Sequence, residues 1–293
     1  MTRQEINQQI GERELTTGEI LKHAGGLLFE DLGKWLLLSL IVFLPTGFVL
    51  QYLMLQIPDA TLQALFSGDM EALVGVDLDP VMWYFGVQVG MSIIWIITHL
   101  AAAFYTDQWL QASKPIPGFG EMMKMAVKRW PAGMLMPILL MAASLVLSTV
   151  MMVGVLVFPF LIFLIIGVLL LLSAVYYMGL TVTAIRKEWG LKAYKYAWSV
   201  ARRKKGKAIG LILMMMAINS AASLLLEGLT SSFGILLQFP WLYCLVGALL
   251  SVIANLPGIF LAIGVTIYFV NQEQLMQVPL QPMHQELPEE FDV

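Results

Sequence analysis

Every lysine and arginine in this chain falls in one of three short segments, 1–34, 107–131 and 186–207, and the apolar stretches between them carry none. Basic residues are retained on the cytoplasmic side of a membrane during insertion, so this sorting predicts topology. Three inward-facing basic segments alternate with stretches that cross the bilayer and return. The composition agrees: 59% of the residues are hydrophobic, 13% are charged and the mean hydropathy is +0.78, too apolar for a soluble globule. The net charge of −3 says little, because the two signs are separated by side. Asp59, Asp69, Glu71, Asp77 and Asp79 share one stretch without a single base, which reads as an outer loop.

A helix needs about 20 apolar residues to cross a hydrocarbon core of about 30 Å. Six stretches qualify, at about 35–56, 82–106, 132–154, 157–185, 208–230 and 241–270. Residues 132–185 carry no charge and are too long for one helix, so Gly154 and Pro159 are expected to mark a tight turn. The reading is an all-α polytopic membrane protein with six transmembrane helices in three hairpins and both termini cytoplasmic. Segment 1–34 is the cytoplasmic N-terminal part, 35–270 the membrane domain, and 271–293 an acidic, proline-punctuated and disordered cytoplasmic tail. The polar opening segment predicts no cleavable leader.

The basic segments repeat one plan, an amphipathic helix that leads through glycine into a span. Ile20, Leu21, Ala24, Leu27 and Leu28 share one helical face of the first, with Glu19, Lys22 and His23 elsewhere. Met122, Met123, Ala126, Val127 and Trp130 do so in the second, and Trp189, Ala193, Tyr196, Ala197 and Val200 in the third. These are expected to be interfacial helices along the inner leaflet, the first opened by a capping box of Thr16 and Glu19. The chain then reads as three units of interfacial helix plus hairpin, related about an axis along the membrane normal.

The segment Thr17-Gly-Glu-Ile-Leu-Lys-His-Ala, followed by Trp35-Leu-Leu-Leu-Ser-Leu-Ile-Val-Phe-Leu-Pro45, resembles the first unit of the glycerophosphoryl diester phosphodiesterase membrane-domain family. The stretch Gly190-Leu-Lys-Ala-Tyr-Lys-Tyr-Ala-Trp-Ser-Val-Ala-Arg-Arg-Lys-Lys-Gly206 resembles that family's third connector. The likeness covers roughly residues 15–270. It departs at the linking loop, where Pro115 and Pro117 precede the second unit. Some members fuse this region to a soluble phosphodiesterase domain, for which only a short tail remains here. The resemblance therefore implies a fold and a location, the bacterial cytoplasmic membrane, rather than phosphodiesterase activity.

Polar residues inside the hydrocarbon are the candidates for function. His99 lies toward the inner end of the second span, about 12 Å of helix rise before Asp107, too far for a direct pair. It either lines a path or fixes helix packing, and packing is the expectation. Glu227 falls near the outer interface, where an acid stays solvated. Asn219 and Asn255 approach the midplane from antiparallel neighbours and are expected to hydrogen-bond each other. Asn255 is followed by Leu256-Pro257-Gly258, a break of the kind that frees carbonyls toward a cavity. Ala254, Gly258 and Ala262 form a small-residue stripe for close helix approach.

The basic residues Lys192, Lys195, Arg202, Arg203, Lys204, Lys205, Lys207, Lys124, Lys128 and Arg129 are expected to engage anionic lipid headgroups or a protein partner. Nucleic acid is a poor partner beside a membrane. The 19 methionines read as packing filler rather than a copper site. One cysteine, Cys244, allows neither an internal disulfide nor a cysteine metal site. No phosphate loop, paired-histidine motif or nucleophile elbow is present, so no catalytic residue, metal or cofactor is assigned. The expected role is a non-catalytic scaffold or accessory subunit acting through its basic inner face. The alternative is a small transporter or a lipid or peptide exporter with a polar midplane site, and a membrane-embedded enzyme is the remotest of the three.

Overall fold

The computed structural model describes residues 3–67, 76–111, 114–157, 161–233 and 237–277. Among them there are twelve α-helices and no strand. In chain order these are α1 (Arg3–Glu12), α2 (Thr17–Glu30), α3 (Leu32–Gln56), α4 (Asp59–Ser67), α5 (Asp79–Leu110) and α6 (Phe119–Gly133). They continue as α7 (Leu135–Val157), α8 (Leu161–Ile185), α9 (Gly190–Ala201), α10 (Lys205–Ser232), α11 (Pro240–Ala254) and α12 (Leu256–Gln277), with a 3₁₀ turn at Arg202–Lys204 before α10. Six stretches are long and apolar enough to cross a membrane: α3, α5, α6 running into α7, α8, α9 running into α10, and α11 running into α12. The chain is thus a multi-pass membrane protein by length and composition.

Helix α12 is the hub. Its residues from Leu261 to Glu273 are buried without interruption, and it packs against α1, α2, α3, α5, α8, α9, α10 and α11. A helix covered on every side needs apolar residues all round, which Leu261-Ala-Ile-Gly-Val-Thr-Ile-Tyr-Phe-Val270 supplies. By contrast α7 and α10 are peripheral, with Met141, Leu145, Leu224 and Leu225 all about 70% exposed, as lipid-facing side chains would be.

Helices α2, α6 and α9 occupy the three basic segments, and each presses a buried face that includes alanine onto the spans. Ala24 of α2 lies against α12, Ala126 of α6 against α5 and α8, and Ala193 and Ala197 of α9 against α8. The capping box that opens α2 is in place: the Glu19 amide donates to Thr16 Oγ1 at 3.3 Å, and the Thr16 amide donates to Glu19 Oε2 at 2.8 Å. The faces differ in detail from the periodicity. His23 is buried with Ile20, Ala24, Leu27 and Leu28, whereas Val127 and Trp189 point outward.

Two boundaries also differ. Gly154 lies inside α7 rather than in a turn, because an apolar run with one isolated glycine still propagates as helix. Pro159 falls outside the described residues. The last helix does not stop at residue 270: it continues through Gln277, and Asn271, Gln272 and Glu273 are buried. Only 278–293 of the expected tail lie outside the described residues.

Helices α3 and α11 approach each other closely. A Cβ on Gly47 would lie 3.3 Å from Ala248 Cα and closer still to Ser251 Oγ, and one on Gly247 would lie 2.6 Å from the Gln51 side chain. Small residues at these points let two backbones meet inside a membrane, where apolar burial gives no drive to associate. This contact uses Gly247, Ala248 and Ser251, one face before the Ala254, Gly258 and Ala262 stripe.

Candidate functional site

Residues from all three basic segments meet at one end of the bundle. Arg186, just past α8, donates through Nε to Glu273 Oε1 at 2.9 Å and Oε2 at 3.0 Å, and its Nη2 also pairs with Glu273. Its Nη1 lies 3.7 Å from Asp107 Oδ1, and Gln111 Nε2 donates to Asp107 Oδ2 at 2.7 Å. Tyr196 of α9 donates its hydroxyl to Glu273. The carboxylate side chains of Asp107 and Glu273 are only 6% and 3% exposed. One guanidinium therefore ties α5, α8 and α12 together, and the tyrosine adds α9.

Two further knots flank this one. Lys34 bridges Asp31 Oδ1 at 2.7 Å and Tyr105 Oη at 3.0 Å, and that hydroxyl donates to Asp31. Lys207 donates to Glu14 Oε1 at 2.8 Å and to the Leu15 carbonyl, while Lys204 lies 3.4 Å from Glu14. Beside them Asn271 Nδ2 donates to the Ile10 and Arg13 carbonyls, both at 2.8 Å, and its Oδ1 accepts from the Leu15 amide at 3.1 Å. A single buried amide thus satisfies the backbone groups that α1 leaves open at its end. Lys207 holds the Glu14 carboxyl below its ordinary range. The hydrogen bond from Arg13 lowers Glu19 to about 2, and burial lowers His23.

The basic residues singled out from the sequence divide into two groups. Lys204 and Lys207 are tied to Glu14, and Arg129 donates to the Thr183 carbonyl at 3.3 Å. Lys124, Lys128, Lys192, Lys195, Arg202, Arg203 and Lys205 are exposed, so they form the outward rim.

The midplane candidates separate in a different way. His99 is buried, its Nε2 lies 3.5 Å from Thr181 Oγ1, and Thr181 Oγ1 lies 3.5 Å from Thr266 Oγ1. Trp95 and Tyr177 cover it, their ring centroids 5.5 and 5.9 Å from the imidazole. His99 and Asp107 go to different partners, as their spacing requires. Asn219 and Asn255 do not bond each other: Asn255 Nδ2 donates to Ser39 Oγ of α3 at 2.9 Å. The close packing of α11 on α3 brings the serine within reach first. Among the described residues the Asn219 side chain makes no hydrogen bond. Glu227 sits within α10, and its side chain lies outside the described residues.

Asn219 and Asn255 nevertheless share a cavity. A pocket of about 250 Å³ is lined by both, with Trp95, Ser223, Ser251 and Gly258. It adjoins a second of about 310 Å³ through Trp95, Asn219 and Gly258, and there Ser92, Ser220, Tyr176 and Tyr177 join the wall. On its other side, through Ser223, Ser251 and Ala254, it adjoins a third of about 540 Å³ lined by Gln51, Tyr84, Gln88 and Tyr243. The three form one cleft. Helices α5 and α10 flank it without packing as a pair, and α11, Asn255 and α12 back it.

The backing is the predicted helix break. Asn255 is a turn between α11 and α12, and its amide donates to the Ile253 carbonyl. That carbonyl is the one Pro257 cannot serve, since proline has no N–H. Tyr84, Gln88, Ser92, Trp95 and His99 follow one another at three- and four-residue steps along one face of α5. Sequence reading singled out His99 of this stripe, whereas Tyr84, Gln88, Ser92 and Trp95 are each too weakly polar to draw notice alone. No group of three or more metal-ligating side chains occurs among the described residues. No family model, no curated protein and no solved structure matches this chain.

Proposed function

We propose that this chain is a small transporter or translocator of the cell membrane that admits a polar group into the mid-bilayer cleft between α5 and α10. The observation that carries the reading is the continuity of the three cavities from Gln51, Tyr84 and Tyr243 to Trp95, Asn219 and Asn255. Trp95 and Asn219 sit near the middles of α5 and α10, and Asn255 near the middle of the stretch formed by α11 and α12. Hydroxyl and amide groups at that depth, left facing lipid tails, would be costly, whereas a filled cleft satisfies them. The positive-inside rule supports placing the charged end, and with it both termini, in the cytoplasm. In that frame α2, α6 and α9 lie at the inner interface, and His99, Trp95 and Tyr177 close the cleft on its inner side.

Single cysteines at 88, 99 and 219 in a Cys244→Ala background test the reading with a small polar thiol reagent. Positions 88 and 219 are expected to label and 99 to stay protected. Protection of all three, with a control cysteine at 77 labelling normally, defeats it.

A second reading rests on the exposed rim of Lys124, Lys128, Lys192, Lys195, Arg202, Arg203 and Lys205. Such a rim suits anionic lipid headgroups at about 1 kcal/mol per basic residue, or an acidic partner docked on a scaffold. The two readings are compatible, since the rim and the cleft occupy different depths of the bundle.

A further inference from the structure

We infer that the cleft recognises an uncharged, hydroxyl-rich group, a sugar or a glycosyl headgroup, and rejects ions. The inference rests on the cleft reading above and adds the chemistry of its ligand. Among the described residues that line the three cavities, none is charged. What the walls offer is amides (Gln51, Gln88, Asn219, Asn255) and hydroxyls (Ser92, Ser220, Ser223, Ser251). Amides and hydroxyls each donate and accept, so they match a ligand that also does both. An ion drawn to this depth would lose its hydration without gaining a counter-charge.

One wall is aromatic. Trp95 and Tyr177 stand edge to face with ring centroids 5.9 Å apart, and Tyr176 and Tyr177 likewise at 5.1 Å. All three line the 310 Å³ part of the cleft. The Trp95 indole N–H is held at the helix break, because a Cβ on Gly258 would lie 2.9 Å from Nε1. An aromatic platform gives apolar contact to the carbon face of a ring while its polar edges donate hydrogen bonds. The individual volumes lie at or near the range of small-molecule sites. Ser92, Met216, Ser220 and Ser223 are exposed along the mouth, so the cleft opens toward the surroundings of the bundle between α5 and α10. A headgroup can enter there from the bilayer, or a free sugar from the outer end.

The experiment uses the full chain in nanodiscs prepared without glycoside detergent, carrying equal small fractions of diglucosyl diacylglycerol and phosphatidylglycerol. Native mass spectrometry reads which lipid stays bound. Retention of the glycolipid about tenfold over phosphatidylglycerol is expected, the factor that one or two net hydrogen bonds supply. Gln88→Ala with Asn219→Ala is expected to abolish the preference. The Asn219 side chain makes no hydrogen bond among the described residues, so its loss should leave the bundle folded, and an unchanged melting curve checks that. Displacement of the glycolipid by excess maltose would assign the site to a free sugar, and resistance to it would assign the site to the lipid. Equal retention of both lipids, or a preference indifferent to the two substitutions, overturns the inference. If positions 88 and 219 label with the thiol reagent while neither glycolipid nor maltose binds, the ligand class falls and the cleft stands. If they fail to label, the cleft reading falls with it.

Discussion

At the scale of single residues, the break between α11 and α12 depends on two contacts that can be tested separately. Asn255 Nδ2 donates to Ser39 Oγ, a bond from the turn after α11 to α3 in apolar surroundings. In a double-mutant cycle Asn255→Ala and Ser39→Ala are expected to couple by about 0.6 to 2 kcal/mol. A coupling near zero would mean that Asn255 serves the cavity and not the packing. The other contact is Gly258 against Trp95 Nε1 at 2.9 Å from a virtual Cβ. Gly258→Ala must therefore push the indole aside, at a cost of about 1 to 3 kcal/mol. Because Trp95 lines both of the deeper cavities, the displaced ring should also slow thiol labelling at position 219. Unchanged labelling and stability would show that the indole moves without cost.

At the scale of elements, α1 and α2 are held to the bundle by groups that titrate. His23 of α2 is buried and its folded pKa is lowered, with Glu19, Lys22 and Arg13 as its charged surroundings. A base with a lowered folded value stabilises the docked state above its ordinary value of 6.5 and loses that contribution as pH falls toward the folded value. Glu19 and Glu14 are lowered as acids, so their pairs with Arg13 and Lys207 contribute above 4.5 and fade as pH falls, for Glu19 through about 2. Amide exchange over 3–30 should therefore accelerate in two stages, first below pH 6.5 and again below 4.5, after correction for intrinsic rates. His23→Gln is expected to remove the first stage alone. A single stage in the native chain would refute the assignment.

At the scale of the whole molecule, the Arg186 knot joins helices that are far apart in sequence. Arg186→Met leaves Asp107 and Glu273 buried without their guanidinium. The expected loss is about 3 kcal/mol, the low end for a broken buried pair, since the Arg186 side chain is 34% exposed. Thermal unfolding in detergent measures it. A melting temperature unchanged in Arg186→Met would mean that the two carboxylates are satisfied by protons or by neighbours such as Tyr196 and Gln111.

The amino-acid sequence alone determined the elements that local physics controls. Apolar length sets where a helix can cross, the Thr16 and Glu19 spacing sets where α2 starts, and Pro257 sets the break behind Asn255. What the tertiary structure decided was partnership. Asn271 and Glu273 stand past the last apolar run, so composition assigned them to a tail. They are buried because α1, α8 and α9 close over the end of α12 and supply the polar partners that composition cannot show. Asn255 met Ser39 rather than Asn219 because small residues let α11 press onto α3. Likewise the cleft lies where α5 and α10 stand apart rather than packing closely. A chain of letters fixes which groups need a partner, and the three-dimensional arrangement decides which partner each one finds.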